Sequence, residues 1–212
     1  PSSGMCCPAS ARCGIPLAVG ELCCLAPPVM ILQRHMNNNQ SMHPFEDSYW
    51  VIPGRLIAGA YPGAVFDEEQ TRQRLYKLLV AGVSSFLDLT RLGELPPYDR
   101  LLQEQAALVD RQITYIHKPI DDMGLPDVEN MKSILDAIDA EINKDRVVYV
   151  HCRAGIGRTG TVVGCYLARH GMQGAEALNS IALMRVGVPN GWCRSPETDE
   201  QFDFVLNWPS GQ

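Results

Sequence analysis

A chain of 212 residues with 18 basic and 24 acidic side chains carries a formal charge of −6, which argues against a general nucleic-acid binder or a membrane-surface protein, since either needs a basic footprint. The length suits one ordinary domain, with or without a tail. Of its eight cysteines, Cys6, Cys7, Cys13, Cys23 and Cys24 crowd the start and only Cys152, Cys165 and Cys193 follow, a pattern that fits neither a disulfide framework nor zinc-ligand spacing and suits a reducing compartment such as the cytoplasm.

Residues 1–45 read as a low-charge, cysteine-rich leader that stands outside the fold as a disordered tail. Its apolar stretch IPLAVGELCCLAPPVMIL is interrupted by Pro16, Glu21, Pro27 and Pro28 before it reaches the ~20 residues that span a bilayer. With only Arg12 ahead of it, it makes a poor secretion signal. The chain opens on Pro1, with Met5, Met30, Met36 and Met42 as alternative starts. The polar run HMNNNQSMHP then reads as a linker, and one domain is expected over 46–212.

In that domain, Tyr49 to Ile52 and Arg55 to Ala60 flank Pro53-Gly54, a hairpin signal. Asp67 opens a helix with acidic residues in its first turn, Leu75, Leu78 and Leu79 at helical spacing, and Gly82 as its stop. VSSFLDL predicts a strand, YDRLLQEQAALVD a helix, ITYIHKPI a strand, DVENMKSILDAIDAEI a helix, and RVVYV a buried strand. Helical patterns follow in TGTVVGCYLARHG, GAEALNSIALMR and SPETDEQFDFVLNW. Strands alternating with helices predict an α/β fold: a central, mainly parallel sheet flanked by helices.

Cys152 falls between the last strand and a helix, where α/β folds bind ligands. A helix N-terminus presents unpaired N–H groups and partial positive charge, so it favours an anion and the ionised form of a thiol. Gly155 and Gly157 let the backbone approach a bound group closely, so the run Arg153, Ala154, Gly155, Ile156, Gly157, Arg158 predicts an amide cradle for phosphate oxygens. Arg158 adds a planar two-donor fork. Thr159 is placed to hydrogen-bond the sulfur and stabilise it as a leaving group. Cys165 reads as core packing, and the scattered histidines do not form a metal-ligand set.

HCRAGIGRTG resembles the signature loop of the cysteine-based protein tyrosine phosphatase superfamily: His-Cys, five residues, Arg, then Ser or Thr. YWVIPGRLIAGAYPG, HKPIDDMGLPD and SPETDEQFDFV resemble segments of its compact, dual-specificity-type members, so the likeness covers roughly residues 48 to 208. The resemblance implies a metal-independent, cofactor-free phosphatase that forms a phosphocysteine on Cys152. It also implies an acid on a separate loop; the family register selects Asp122, with Asp121 as the alternative, while Asp127 fits the N-cap of the next helix. His151 is expected to hold the loop by hydrogen bonds, and Gln201 stands where some relatives carry a water-positioning glutamine, or else is an ordinary exposed helical residue.

The long insertions of tyrosine-specific members are not evident, so the expected substrate is a protein phosphorylated on tyrosine, and on serine or threonine where the pocket is shallow. No nucleic acid or membrane partner is expected, and the oligomeric state is left open. Ile156, standing where lipid phosphatases tend to carry a second basic residue, disfavours phosphoinositides. A phospho-ligand-binding module without turnover is the alternative from another class.

Overall fold

The computed structural model describes residues 43–212. The expectations about the leader up to residue 42, including its five cysteines, lie outside the described residues. Phe45, assigned from sequence to that leader, instead packs into the core, edge-on to Tyr149.

Strands β1 (Ser48–Ile52) and β2 (Leu56–Gly59) form the expected antiparallel hairpin around Pro53-Gly54. Helix α1 (Glu68–Val80) starts at Asp67, whose carboxylate accepts from the Gln70 N–H at 2.9 Å, and β3 (Val83–Asp88) follows. Then come α2 (Asp99–Leu108), β4 (Thr114–His117), α3 (Val128–Ile142) and β5 (Val147–His151). Helices α4 (Gly157–Arg169), α5 (Gly174–Met184) and α6 (Asp199–Leu206) complete the domain.

The sheet order is β1-β2-β5-β3-β4, and every pairing except β1 with β2 is parallel. Strand β5 is central and buried on both faces, which explains why RVVYV shows no polar alternation. Its period of two sends Val148 and Val150 to one apolar cluster and Tyr149 to the other. The first cluster joins the sheet to α3, α4, α5 and α6; the second joins it to α1 and α2 through Leu75, Leu78, Leu79, Leu101 and Leu102.

Two boundaries differ from expectation in ways that matter for the site. Strand β4 stops at His117, so Lys118 to Asp127 is a connection free to shape the pocket edge. Helix α4 begins two residues before the expected Thr159, with Ile156 at its N-cap, so Arg158 lies in the first helical turn.

Candidate active site

The carboxyl ends of β2, β3, β4 and β5 meet at one edge of the sheet, and the connection from β5 to α4 turns there. Gly155 takes φ +71°, and a Cβ at that position would stand 2.5 Å from the Gly59 carbonyl carbon. Only glycine lets this loop close against the end of β2. The loop is tied further by the Tyr61 N–H donating to the Arg153 carbonyl (3.1 Å) and by the Ser195 hydroxyl donating to the Ile156 carbonyl (2.7 Å).

Among the described residues, no backbone N–H from Arg153 through Thr159 donates to a protein acceptor. Buried backbone donors are nearly always paired, so a run of free N–H groups at a helix start is an anion-binding surface. Above it lies a cavity of about 200 Å³ with Cys152, Arg158 and Asp122 in its walls. Cys152 is buried, as is Cys165 on α4, whose thiol burial pushes well up and leaves unreactive.

Arg158 is only 2% exposed. Its guanidinium binds Glu94 bidentately at 2.8 and 2.6 Å and donates to the Ile120 carbonyl at 3.1 Å. The hydrogen bond from Arg158 is the largest of the influences that hold the Glu94 carboxyl below the usual carboxylate range. Glu94 escaped the sequence reading. Its available signal was indirect: an arginine buried at a helix start needs a carboxylate, and Glu94 sits in the RLGELPP loop after a strand expected to reach the same edge.

Asp122 stands 2.9 Å from the Arg158 guanidinium, whereas Asp121 turns outward to Arg91 at 3.4 Å. Asp127 caps α3 by accepting from the Asn130 N–H at 2.7 Å. The structure thus separates three neighbouring carboxylates by position: one in the cavity, one on the surface and one on a helix end.

His151 is fully buried beneath the loop, its Nδ1 at 3.2 Å from the Cys152 carbonyl and its Nε2 at 2.7 Å from the Tyr98 hydroxyl. Burial pushes its pKa down, partly offset by Asp88, and burial pushes the Tyr98 phenol up. A protonated Tyr98 therefore donates to Nε2 of a neutral imidazole, whose Nδ1–H donates to the loop. Asp88 in turn accepts from the Tyr115 hydroxyl and the Thr90 N–H and hydroxyl. Tyr98, Tyr115 and Asp88 were not legible as site residues, because they reach His151 only through tertiary packing.

Thr159 is buried, and its hydroxyl has no hydrogen-bond partner among the described residues, so the expected bond to sulfur is not formed in this arrangement. Gln201 is fully buried rather than an exposed helical residue. Its Oε1 accepts from the Glu197 and Thr198 N–H groups (3.2 and 3.3 Å) and its Nε2 donates to the Gly124 carbonyl at 2.9 Å. The Thr198-x-x-Gln201 capping box explains this duty and was readable as such. Ala154, Ile156 and Gly157 lie in the loop as expected, and Arg153 and Gly157 also line the cavity. No cluster of three or more potential metal ligands occurs among the described residues.

A family model described as "Polymorphic toxin system, DSP-PTPase phosphatase" matches residues 64–172. The uncharacterized protein MJ0215 of Methanocaldococcus jannaschii is 35% identical over 98 residues, covering 46% of this chain and 56% of that protein. The tyrosine-protein phosphatase CDC14 homolog of Schizosaccharomyces pombe is 30% identical over 152 residues, covering 68% of this chain and 27% of that protein. The chain therefore spans less than two thirds of the length of either relative. Among solved structures, Tk-PTP in its active form aligns with a TM-score of 0.58 and 24% identity, over 75% of this chain and 93% of that one, which places the fold. With the signature loop built between β5 and α4 and the family match running through it, the chain belongs to the dual-specificity-type (DSP-PTPase) family of the cysteine-based protein tyrosine phosphatase superfamily.

Proposed function

We propose that this chain is a metal-independent phosphatase that hydrolyses phosphomonoesters through a phosphocysteine on Cys152. The observation that carries the proposal is the run of unpartnered N–H groups from Arg153 to Thr159, closed by the Arg158 guanidinium and set around the Cys152 thiol. Donors fixed before substrate arrives stabilise the charge of a transferring phosphoryl group without reorganisation. In this reading the sulfur attacks phosphorus, the P–O bond to the leaving group breaks, and Asp122 protonates the departing oxygen. Water then attacks phosphorus as the S–P bond breaks with its electron pair returning to Cys152. Asp122 takes the water proton, and Thr159, a buried hydroxyl with no partner among the described residues, donates a hydrogen bond to the departing sulfur.

The substrate we propose is a protein phosphorylated on tyrosine, with phosphoserine and phosphothreonine as further substrates; no nucleic acid or membrane takes part. The three described cysteines are all free thiols, which supports a reducing compartment, and we place the chain in the cytoplasm. No helix among the described residues is long and apolar enough to cross a membrane.

Phosphate release from an aryl phosphate, measured in EDTA with reductant, tests this reading. Turnover is expected to survive EDTA and to vanish in Cys152→Ser. Turnover retained by Cys152→Ser, or lost on chelation, overturns it.

A further inference from the structure

The turn that carries Asp122 holds a residue that its geometry does not favour. Asp121 to Gly124 closes through the Gly124 N–H donating to the Asp121 carbonyl at 2.9 Å, and Met123, third of the four, takes φ +59°. A positive φ at the third position of a turn suits glycine or asparagine. The other non-glycine residues with positive φ among the described residues are Asp110 and Asp145, and an aspartate tolerates that region where a methionine is strained. Core packing does not account for the strain, because Met123 is 54% exposed and belongs to neither apolar cluster.

Met123 does line the cavity, beside Asp122. The rest of that wall is charged, small or the thiol of Cys152, so among the described residues Met123 is its one large apolar member. The turn is also pinned in place: the buried Gln201 side chain donates to the Gly124 carbonyl at 2.9 Å, and a Cβ on Gly124 would stand 3.0 Å from that of Asp121. A thioether is flexible and polarisable, and its sulfur packs favourably against aromatic rings. The plain alternative is a solvated turn residue. It accounts for the exposure but not for a strained apolar residue in the wall of a polar cavity, where glycine or asparagine would sit without strain.

We infer that Met123 determines which phosphomonoester the cavity prefers, packing its thioether against the phenyl ring of phosphotyrosine while the phosphate lies in the β5–α4 loop. Phosphoserine joins its phosphate to a single methylene and offers the thioether no ring. This inference rests on the phosphatase reading and sharpens its substrate: the cavity selects aryl over alkyl esters by contact as well as by leaving group.

The test compares phosphate release from a phosphotyrosine peptide and from the same peptide carrying phosphoserine, for the wild type, Met123→Asn and Met123→Leu. Values of kcat/KM are read with protein in excess, so that slow cleavage still registers. Asparagine accepts a positive φ, so it keeps the turn and removes the thioether. Met123→Asn is expected to lower the ratio of kcat/KM, tyrosine peptide over serine peptide, by roughly tenfold, the upper range for sulfur against a ring. It should melt no lower than the wild type. Met123→Leu keeps the apolar bulk and should keep most of the ratio. The sign of the change separates this role from disturbance of Asp122: a misplaced acid slows the serine ester more, because its alkoxide leaving group depends more on protonation, and the ratio would then rise. A ratio that rises or keeps its wild-type value in Met123→Asn, or a lower melting temperature there, overturns this inference alone. A wild-type chain that releases phosphate from neither peptide, or a Cys152→Ser chain that still releases it, overturns the phosphatase reading and this inference with it.

Discussion

The two walls of the cavity are built on different terms. The β5–α4 loop exposes Arg153 and Ala154 but is buried from Gly155 onward, where it wedges against β2, and its Arg158 is clamped by Glu94, a carboxylate only 13% exposed. The Lys118–Asp127 connection is open: Asp122 is 56% exposed and Met123 takes φ +59°, with the Gly124 carbonyl bonded to Gln201 as an anchor to α6. In the proposed mechanism anion binding falls to the wall that cannot move without disturbing the core, and proton transfer to the wall that can move at little cost, as a group that must meet different leaving groups requires.

Replacing the fork is expected to break this comparison most severely. Arg158→Lys keeps the charge but loses the bidentate geometry toward both Glu94 and phosphate. Turnover should fall by about 100-fold or more, by analogy with removal of one oxyanion donor, with thermal stability reduced as well. Steady-state kinetics together with a thermal melt would check both, and wild-type stability in this variant would deny that the clamp is structural.

The open wall should show the opposite pattern. Asp122→Asn is expected to slow hydrolysis of an alkyl phosphate by about 100-fold, to slow an activated aryl phosphate far less, and to leave the melting temperature unchanged. Asp121→Asn, on the outward-facing neighbour, should change neither rate measurably. A leaving-group series measured on both variants decides between the two aspartates.

A smaller effect lies in the acid limb of stability. The carboxyl of Glu94 is held below its ordinary range by Arg158, and the imidazole of His151 is held below its own by burial. Each group binds protons more weakly folded than unfolded, so each contributes stability that is complete above its unfolded pKa and is lost as pH falls through its folded one. Melts across pH 7 to 3 should therefore show a decline that Glu94→Gln makes shallower, from a lower plateau at neutral pH. An unchanged pH slope in that variant would mean that the pair contributes nothing through its charge.

The difference between the walls also explains what could be read in advance. HCRAGIGRTG puts the proposed nucleophile, cradle and cation in one unbroken run, so local chemistry singled out Cys152 and Arg158 without any knowledge of packing. The α/β alternation and the central β5 were legible for the same reason, in the unbroken apolar run of RVVYV and the helical spacing around it. Glu94, Tyr98 and Asp88 come from remote segments and reach the loop only once β3 lies beside β5, so nothing in their own neighbourhoods marks them. Gln201 was read as surface or water-handling, and the Thr198 capping box turned it inward.

The strand order has a consequence for how such a chain is made. Strands β2 and β3 are near neighbours in sequence but not in the sheet, because β5 inserts between them. During synthesis the part of the domain before β5 must wait with two unpaired strand edges until Val147 to His151 arrives. These long-range parallel pairings form slowly, and exposed edges invite association with other chains. The same strand then delivers Cys152 and the loop. The segment that completes the sheet is thus the one that carries the proposed nucleophile, and a chain truncated before β5 has no Cys152 to leave exposed.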